Sequence, residues 1–154
     1  MNCCKMQPMR EHISDTTVLS NLAAVDRLDL LRNRYHGCAC TTIEVCDELR
    51  KGLRAGYGHL DRALQLVAGV SAGGWVRLVG TESAEELRLR ADFDLVVDPG
   101  EASCLALAVA RGLVLATDDL AARRLARSKG VDVSGTVGLL IATWVQFIKP
   151  AISG

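Results

Sequence analysis

Short apolar runs recur along the chain between longer stretches whose leucines, alanines and valines fall three or four residues apart. The runs predict strands. His12 opens a brief one ending near Asp15, and Gly37–Thr42, Trp75–Gly80, Leu113–Thr117 and Val131–Ser134 give the others. The longer stretches predict helices at Val18–Val25, Arg27–Arg34, Ile43–Arg54, His59–Val70 and Thr81–Leu89, then at Glu101–Arg111, Leu120–Lys129 and Val137–Phe147. Their ends carry matching signals. Asp26 is a candidate N-cap for the second helix and Thr42 for the third, and Ser83-Ala84-Glu85-Glu86 reads as a capping start. Gly56-Tyr57-Gly58, Gly112, Gly130 and Lys149-Pro150 read as stops, and Asp98-Pro99-Gly100 as a turn. Ala91–Pro99 has no clear period.

Leu113-Val114-Leu115-Ala116-Thr117 is apolar without alternation, the pattern of a strand buried on both faces of a parallel sheet. Strands alternate with helices along almost the whole chain, so the expected class is α/β with a mostly parallel sheet. No repeat or linker interrupts the pattern. One domain over residues 12–150 is expected, preceded by a flexible tail at residues 1–11.

Composition narrows the function classes. The 154 residues are 49% hydrophobic and 23% charged, ordinary for a globular chain with a full core. Formal net charge is zero, so nucleic-acid binding would need a local basic patch. Aromatics, at 4%, supply little for stacking bases. Six cysteines without a CxxC pair exclude a zinc ribbon and a disulfide scaffold. Cys38 and Cys40 would share one face of a strand and read as buried, inert thiols. No apolar run is long enough for a signal peptide or a membrane span, so a cytoplasmic, reduced protein without membrane contact is expected.

The chemistry gathers at the joints between elements. Parallel sheets bind ligands beyond the carboxyl ends of their strands. Asp15 ends the first strand, and Asp118 and Asp119 end Leu113–Thr117. Glu101 opens the helix leading into that strand, and Glu48 lies on the helix after the second. Such carboxylates in one cleft repel each other, and a divalent cation relieves the repulsion. Oxygen-only ligands select Mg²⁺ or Mn²⁺. Each acid also has a structural reading: Asp15 and Asp119 as N-caps, Glu101 as a first-turn charge, Glu48 as a solvated one. Thr16, Thr17 and Thr117 flank the acids, where their hydroxyls could orient carboxylates or water. Arg123, Arg124 and Arg127 could meet phosphates. The histidines share no motif and receive no role. Phosphate loops, dinucleotide fingerprints and nucleophile elbows are absent. An Asp-based phosphatase is disfavoured because Thr17 stands where a second aspartate is needed.

Four blocks, SDTTVLSNLA, DEL, GEASCLALAVARG and LATDDLAARRLA, in this order and spacing, resemble the PIN domain, the nuclease fold of VapC-type toxins. Together with GTVGLL they look most like the PIN branch known as DUF3368, over Ile13 to Ile148. The resemblance implies a three-layer α/β/α sandwich and Mg²⁺- or Mn²⁺-dependent hydrolysis of RNA phosphodiester bonds. It implies Asp15 and Asp119 as primary ligands, Glu101 as a third, and Glu48 as an outer ligand or the group orienting water. Asp118 is left as a neighbour with a ligand role not separable from that of Asp119. Arg123 would contact phosphate or pair with the acids, with Thr16 and Thr117 beside the substrate. Glu101 departs from the aspartate of many members and changes ligand reach by one methylene. Homodimers and a small antitoxin partner are further implications. A non-catalytic binding module that keeps the fold is the alternative.

Overall fold

The computed structural model describes residues 10–35 and 37–147. Expectations that fall on Cys3, Cys4, His36, Lys149, Pro150 and most of the N-terminal tail lie outside these residues. The elements run β1 (His12–Ser14), α1 (Thr16–Ala24), α2 (Asp29–Tyr35), β2 (Ala39–Thr42), α3 (Ile43–Arg54), α4 (Leu60–Gln65) and β3 (Arg77–Val79). They continue with α5 (Ala84–Phe93), α6 (Pro99–Arg111), β4 (Val114–Ala116), α7 (Leu120–Ser128), β5 (Val133–Ser134) and α8 (Thr136–Phe147). The five strands are all parallel, in the order β3-β2-β1-β4-β5, with helices layered against the sheet. This is the expected α/β sandwich.

The central strands are short and almost fully buried, which explains the unbroken apolar run over residues 113–116. Ile13 sits between Cys40 on β2 and Leu115 on β4, and none of the three is more than 1% exposed. α6 packs over β1, β2 and β4. Its stretch Ala102–Ala108 is buried throughout, so the small residues of this helix are what let it lie close to the sheet.

Strand order places the site. The connection from β1 leads to β2 on one side, and that from β4 leads to β5 on the other. The carboxyl ends of β1 and β4 therefore frame the crevice in which open parallel sheets bind ligands. Asp15 follows β1, and Asp118 and Asp119 follow β4.

Several boundaries differ from the sequence pattern for local reasons. Asp26 does not cap α2. It takes the left-handed conformation at φ 55° and donates its N–H to the Ala23 carbonyl (3.1 Å), closing α1. α4 stops at Gln65 because Val67 turns to bridge Val76, and Gly69 has φ 88°. Asp98-Pro99-Gly100 is a helix start, with Pro99 at the first position where its missing N–H costs nothing. α5 runs on to the buried Phe93. Cys40, Cys46 and Cys104 are buried free thiols, and burial pushes Cys40 up to about 12. Cys38 departs from the expected thiol: it is disulfide-bonded.

One half-buried ion pair, Glu86 with Arg111, ties the far side of the sheet to α6. Glu86 accepts from the Glu82 and Ser83 N–H groups (2.8 and 3.2 Å) and from Arg111 Nε (2.8 Å). Arg111 also donates to the Gly80 carbonyl (3.1 Å). These donors, Arg111 foremost, hold the Glu86 carboxyl at about 2, below its ordinary 4.5. The resulting stability is full above pH 4.5 and is lost as pH falls toward 2. Glu86→Gln is expected to lower stability at pH 7 by about 1.5–3 kcal/mol. Its acid unfolding limb should be flatter, which urea titrations between pH 3 and 7 will measure.

Candidate functional site

Asp15 is the centre of the site. It is wholly buried, and it caps α1 by accepting from the Val18 N–H through Oδ1 (3.1 Å). Two threonine hydroxyls hold it from either side. Thr17 donates to Oδ1 (2.7 Å), and Thr117 donates to Oδ2. Each hydroxyl is itself pinned. Thr17 accepts from the Asp118 N–H (2.9 Å) and Thr117 from the Asp119 N–H (3.1 Å). Backbone donors occupy the accepting side of both hydroxyls, so their protons are turned onto Asp15. This arrangement suits a carboxylate and fixes its orientation before any ligand arrives.

Burial opposes that charge. It raises the Asp15 carboxyl to about 6, against the lowering effect of the Thr117, Thr17 and Val18 hydrogen bonds. Glu101, 7% exposed, is raised to about 7, first by burial and then by the charges of Asp119 and Asp15. Its Oε2 accepts from the Asp98 N–H (3.3 Å), which holds the side chain back along the first turn of α6. Asp119 caps α7 through Oδ1 on the Ala122 N–H (2.8 Å). Its other oxygen has no hydrogen-bond partner among the described residues.

The neighbouring aspartates part company here. Asp118 Oδ1 accepts from the Thr136 N–H (2.8 Å), and Oδ2 accepts from Asn21 (2.7 Å) and from the Thr136 hydroxyl. It fastens the end of β4 to α1 and to the N-terminus of α8, where a negative charge is favoured. Gly135 makes room for this, because a Cβ there would lie 2.7 Å from Asp118 Oδ1 and 2.5 Å from Arg123 Nη1. The sequence pattern gives Asn21 and Thr136 no role in the site; the one hint is the polar Ser20-Asn21 pair interrupting the apolar residues of α1.

Glu48 joins the site from α3. It accepts from the Thr16 hydroxyl (2.5 Å) and, through Oε1, from the Gly100 N–H (2.6 Å) at the start of α6. Thr16 therefore stands behind Glu48, as Thr117 stands behind Asp15. Arg123 donates to the Thr117 carbonyl (3.1 Å) and makes no ion pair with a site acid among the described residues. A cleft of about 520 Å³ opens beside Asp118 and Asp119, lined also by Thr16, Thr17, Ser20, Asn21 and Leu120.

The donor set is all oxygen, with two buried carboxyls, Asp15 and Glu101, raised chiefly by burial, and its chemistry suits a hard divalent cation. Among the described residues no group of three or more acidic, histidine or cysteine side chains is placed so that it could hold a metal ion as it stands. The candidate ligands are Asp15, Glu101 and Asp119.

Relatives agree with this architecture. The structure of PAE2754 from Pyrobaculum aerophilum aligns with TM-score 0.57 and 23% identity over 86% of this chain and 96% of that one. VapBC-1 from nontypeable Haemophilus influenzae aligns with TM-score 0.57 and 14% identity, over 82% and 98%. VapBC2 from Rickettsia felis, bound to a DNA fragment from their promoter, gives 0.54 and 13%, over 80% and 97%. Among curated proteins there is no match. The family model described as a PIN domain, DUF3368, matches residues 11–150. The chain, over nearly its whole length, belongs to the PIN-domain family.

Proposed function

We propose that this protein is a divalent-metal-dependent ribonuclease and the toxin of a toxin–antitoxin pair. The observation that carries the reading is Asp15, a buried carboxylate locked by Thr17 and Thr117 and electrostatically coupled to Glu101, which is coupled in turn to Asp119. Charge concentrated this way in a crevice destabilises the metal-free site and favours a cation. A Mg²⁺ or Mn²⁺ ion held by Asp15, Glu101 and Asp119 would supply charge neutralisation and water activation for phosphodiester hydrolysis. Glu48, fixed by Thr16 and Gly100, orients the attacking water. Thr17 and Thr117 keep Asp15 aimed, and Asp118 holds the cleft together from outside the ligand set.

The PIN family supports a nuclease, and the VapBC neighbours support a small antitoxin partner. A homodimer in the cytoplasm completes the reading. Among the described residues no helix is long and apolar enough to cross a membrane. The test is cleavage of labelled RNA with Mg²⁺ or Mn²⁺, beside Asp15→Asn and Asp119→Asn. Cleavage should stop in both variants and with EDTA. Cleavage persisting in both would refute the assignment.

A further inference from the structure

We infer that the RNA strand leaves the acidic site along α3, its phosphates carried by Lys51 and Arg54. The inference rests on the ribonuclease reading and adds the path of the substrate. A groove of about 310 Å³ is lined by Pro99 and, along α3, by Glu44, Asp47, Glu48, Arg50, Lys51 and Arg54; of its acids, Glu44 is paired with Arg90 and Asp47 with Arg50. Glu48 lines the groove and reaches the edge of the cleft through a hydrogen bond. Its carboxylate meets Thr16, which lines the cleft beside Asp119. The groove and the cleft therefore meet across one hydrogen bond, from Thr16 to Glu48.

The cations of the groove differ in availability. Arg50 is paired with Asp47 (3.2 Å), one turn back on the same helix. Lys51 and Arg54 are exposed and have no carboxylate partner within 4.0 Å among the described residues. They lie three and six residues beyond Glu48 on α3, a rise of about 4.5 and 9 Å along the axis.

The other basic surfaces fit less well. Arg10, Arg27, Arg62, Arg77, Arg90 and Arg111 each face a carboxylate. Arg123 turns to the Thr117 carbonyl. Arg124 and Arg127 are exposed on α7 but line neither the groove nor the cleft. A chain of net charge zero binds a polyanion only where unpaired cations cluster, and beside a site acid that cluster is Lys51 and Arg54. The ligand is a single strand, whose flexible backbone can follow a narrow groove from one phosphate to the next.

The test uses the Asp15→Asn protein in EDTA, so that binding is read without cleavage. A fluorescein-labelled single-stranded RNA of mixed sequence is titrated between 50 and 300 mM salt. Adding Lys51→Glu and Arg54→Glu should weaken binding roughly 10-fold or more and flatten the slope of log affinity against log salt by about 1.4, two phosphates at about 0.7 each. Arg124→Glu with Arg127→Glu, made in the same background, is the rival path and should leave the slope within error. In the active protein, Lys51→Glu with Arg54→Glu should raise KM with kcat within about two-fold. An unchanged slope with Lys51 and Arg54 reversed, or a loss confined to the Arg124 and Arg127 set, overturns the path but leaves the ribonuclease reading standing. No RNA binding by the Asp15→Asn protein with every cation intact overturns both.

Discussion

Asp15→Asn is expected to raise the melting temperature of the metal-free protein at pH 8 by about 3–10 °C while reducing RNA cleavage roughly 100-fold or more. Loss of activity alone would be unremarkable; the gain in stability is the diagnostic part. Burial raises the Asp15 carboxyl from 3.8 to about 6. The folded chain thus holds this proton more tightly than the unfolded chain does. Stability from this group falls as pH rises from about 4 to 6 and stays at its low value above that. A shift of this size corresponds to about 3 kcal/mol as an upper estimate. Asparagine keeps the shape and can still accept from the Val18 N–H as the α1 cap. It cannot accept from both threonines through two oxygens, which trims the gain to about 1–3 kcal/mol. The two melting curves should converge near pH 4. Saturating Mn²⁺ should raise the wild-type curve and leave the variant's unchanged. A variant less stable than wild type at pH 8 would mean that Asp15 is held by its threonines more strongly than burial opposes it.

The sequence made the ends of the strands readable, because a parallel strand buried on both faces leaves an apolar run and an acid beyond it stands out. Asp15 after β1 and Asp119 after β4 were legible in that way. Strand order was not, since neither composition nor period says that β4 returns to lie beside β1. That return is what brings residues 102 positions apart, Thr117 and Asp15, into one hydrogen bond. The helix limits depart from the side-chain pattern where a backbone conformation outweighs it: left-handed Asp26 at the end of α1, and Pro99 at the head of α6. Asp118 and Asp119 look alike in sequence, and only their partners separate them. Both line the cleft, but Asp118 is saturated by Asn21 and Thr136, while one Asp119 oxygen has no hydrogen-bond partner among the described residues. In the sequence pattern Gly100 belongs to the turn Asp98-Pro99-Gly100. Its consequence is steric and follows from Glu48, which lies 52 residues earlier.

Gly100→Ala should therefore lower kcat/KM about 10–100-fold with a melting temperature within about 2 °C of wild type. A Cβ at this position would lie 2.6 Å from both oxygens of Glu48 and 2.7 Å from its Cδ. Those distances are too short to persist, and the atoms concerned are the end of a flexible side chain. Glu48 swings away, and its hydrogen bonds to the Gly100 N–H and the Thr16 hydroxyl are lost. Losing such bonds costs about 1 kcal/mol, which the better helix propensity of alanine, about 0.5–1 kcal/mol, nearly offsets. Fold and function are separated in this way. Glu48→Gln complements it by keeping an acceptor for the Gly100 N–H and removing the charge. If Glu48 acts through its charge on the attacking water, both variants lose activity together. If position alone matters, Glu48→Gln retains most of it and Gly100→Ala does not. Full activity in Gly100→Ala would remove Glu48 from the working site.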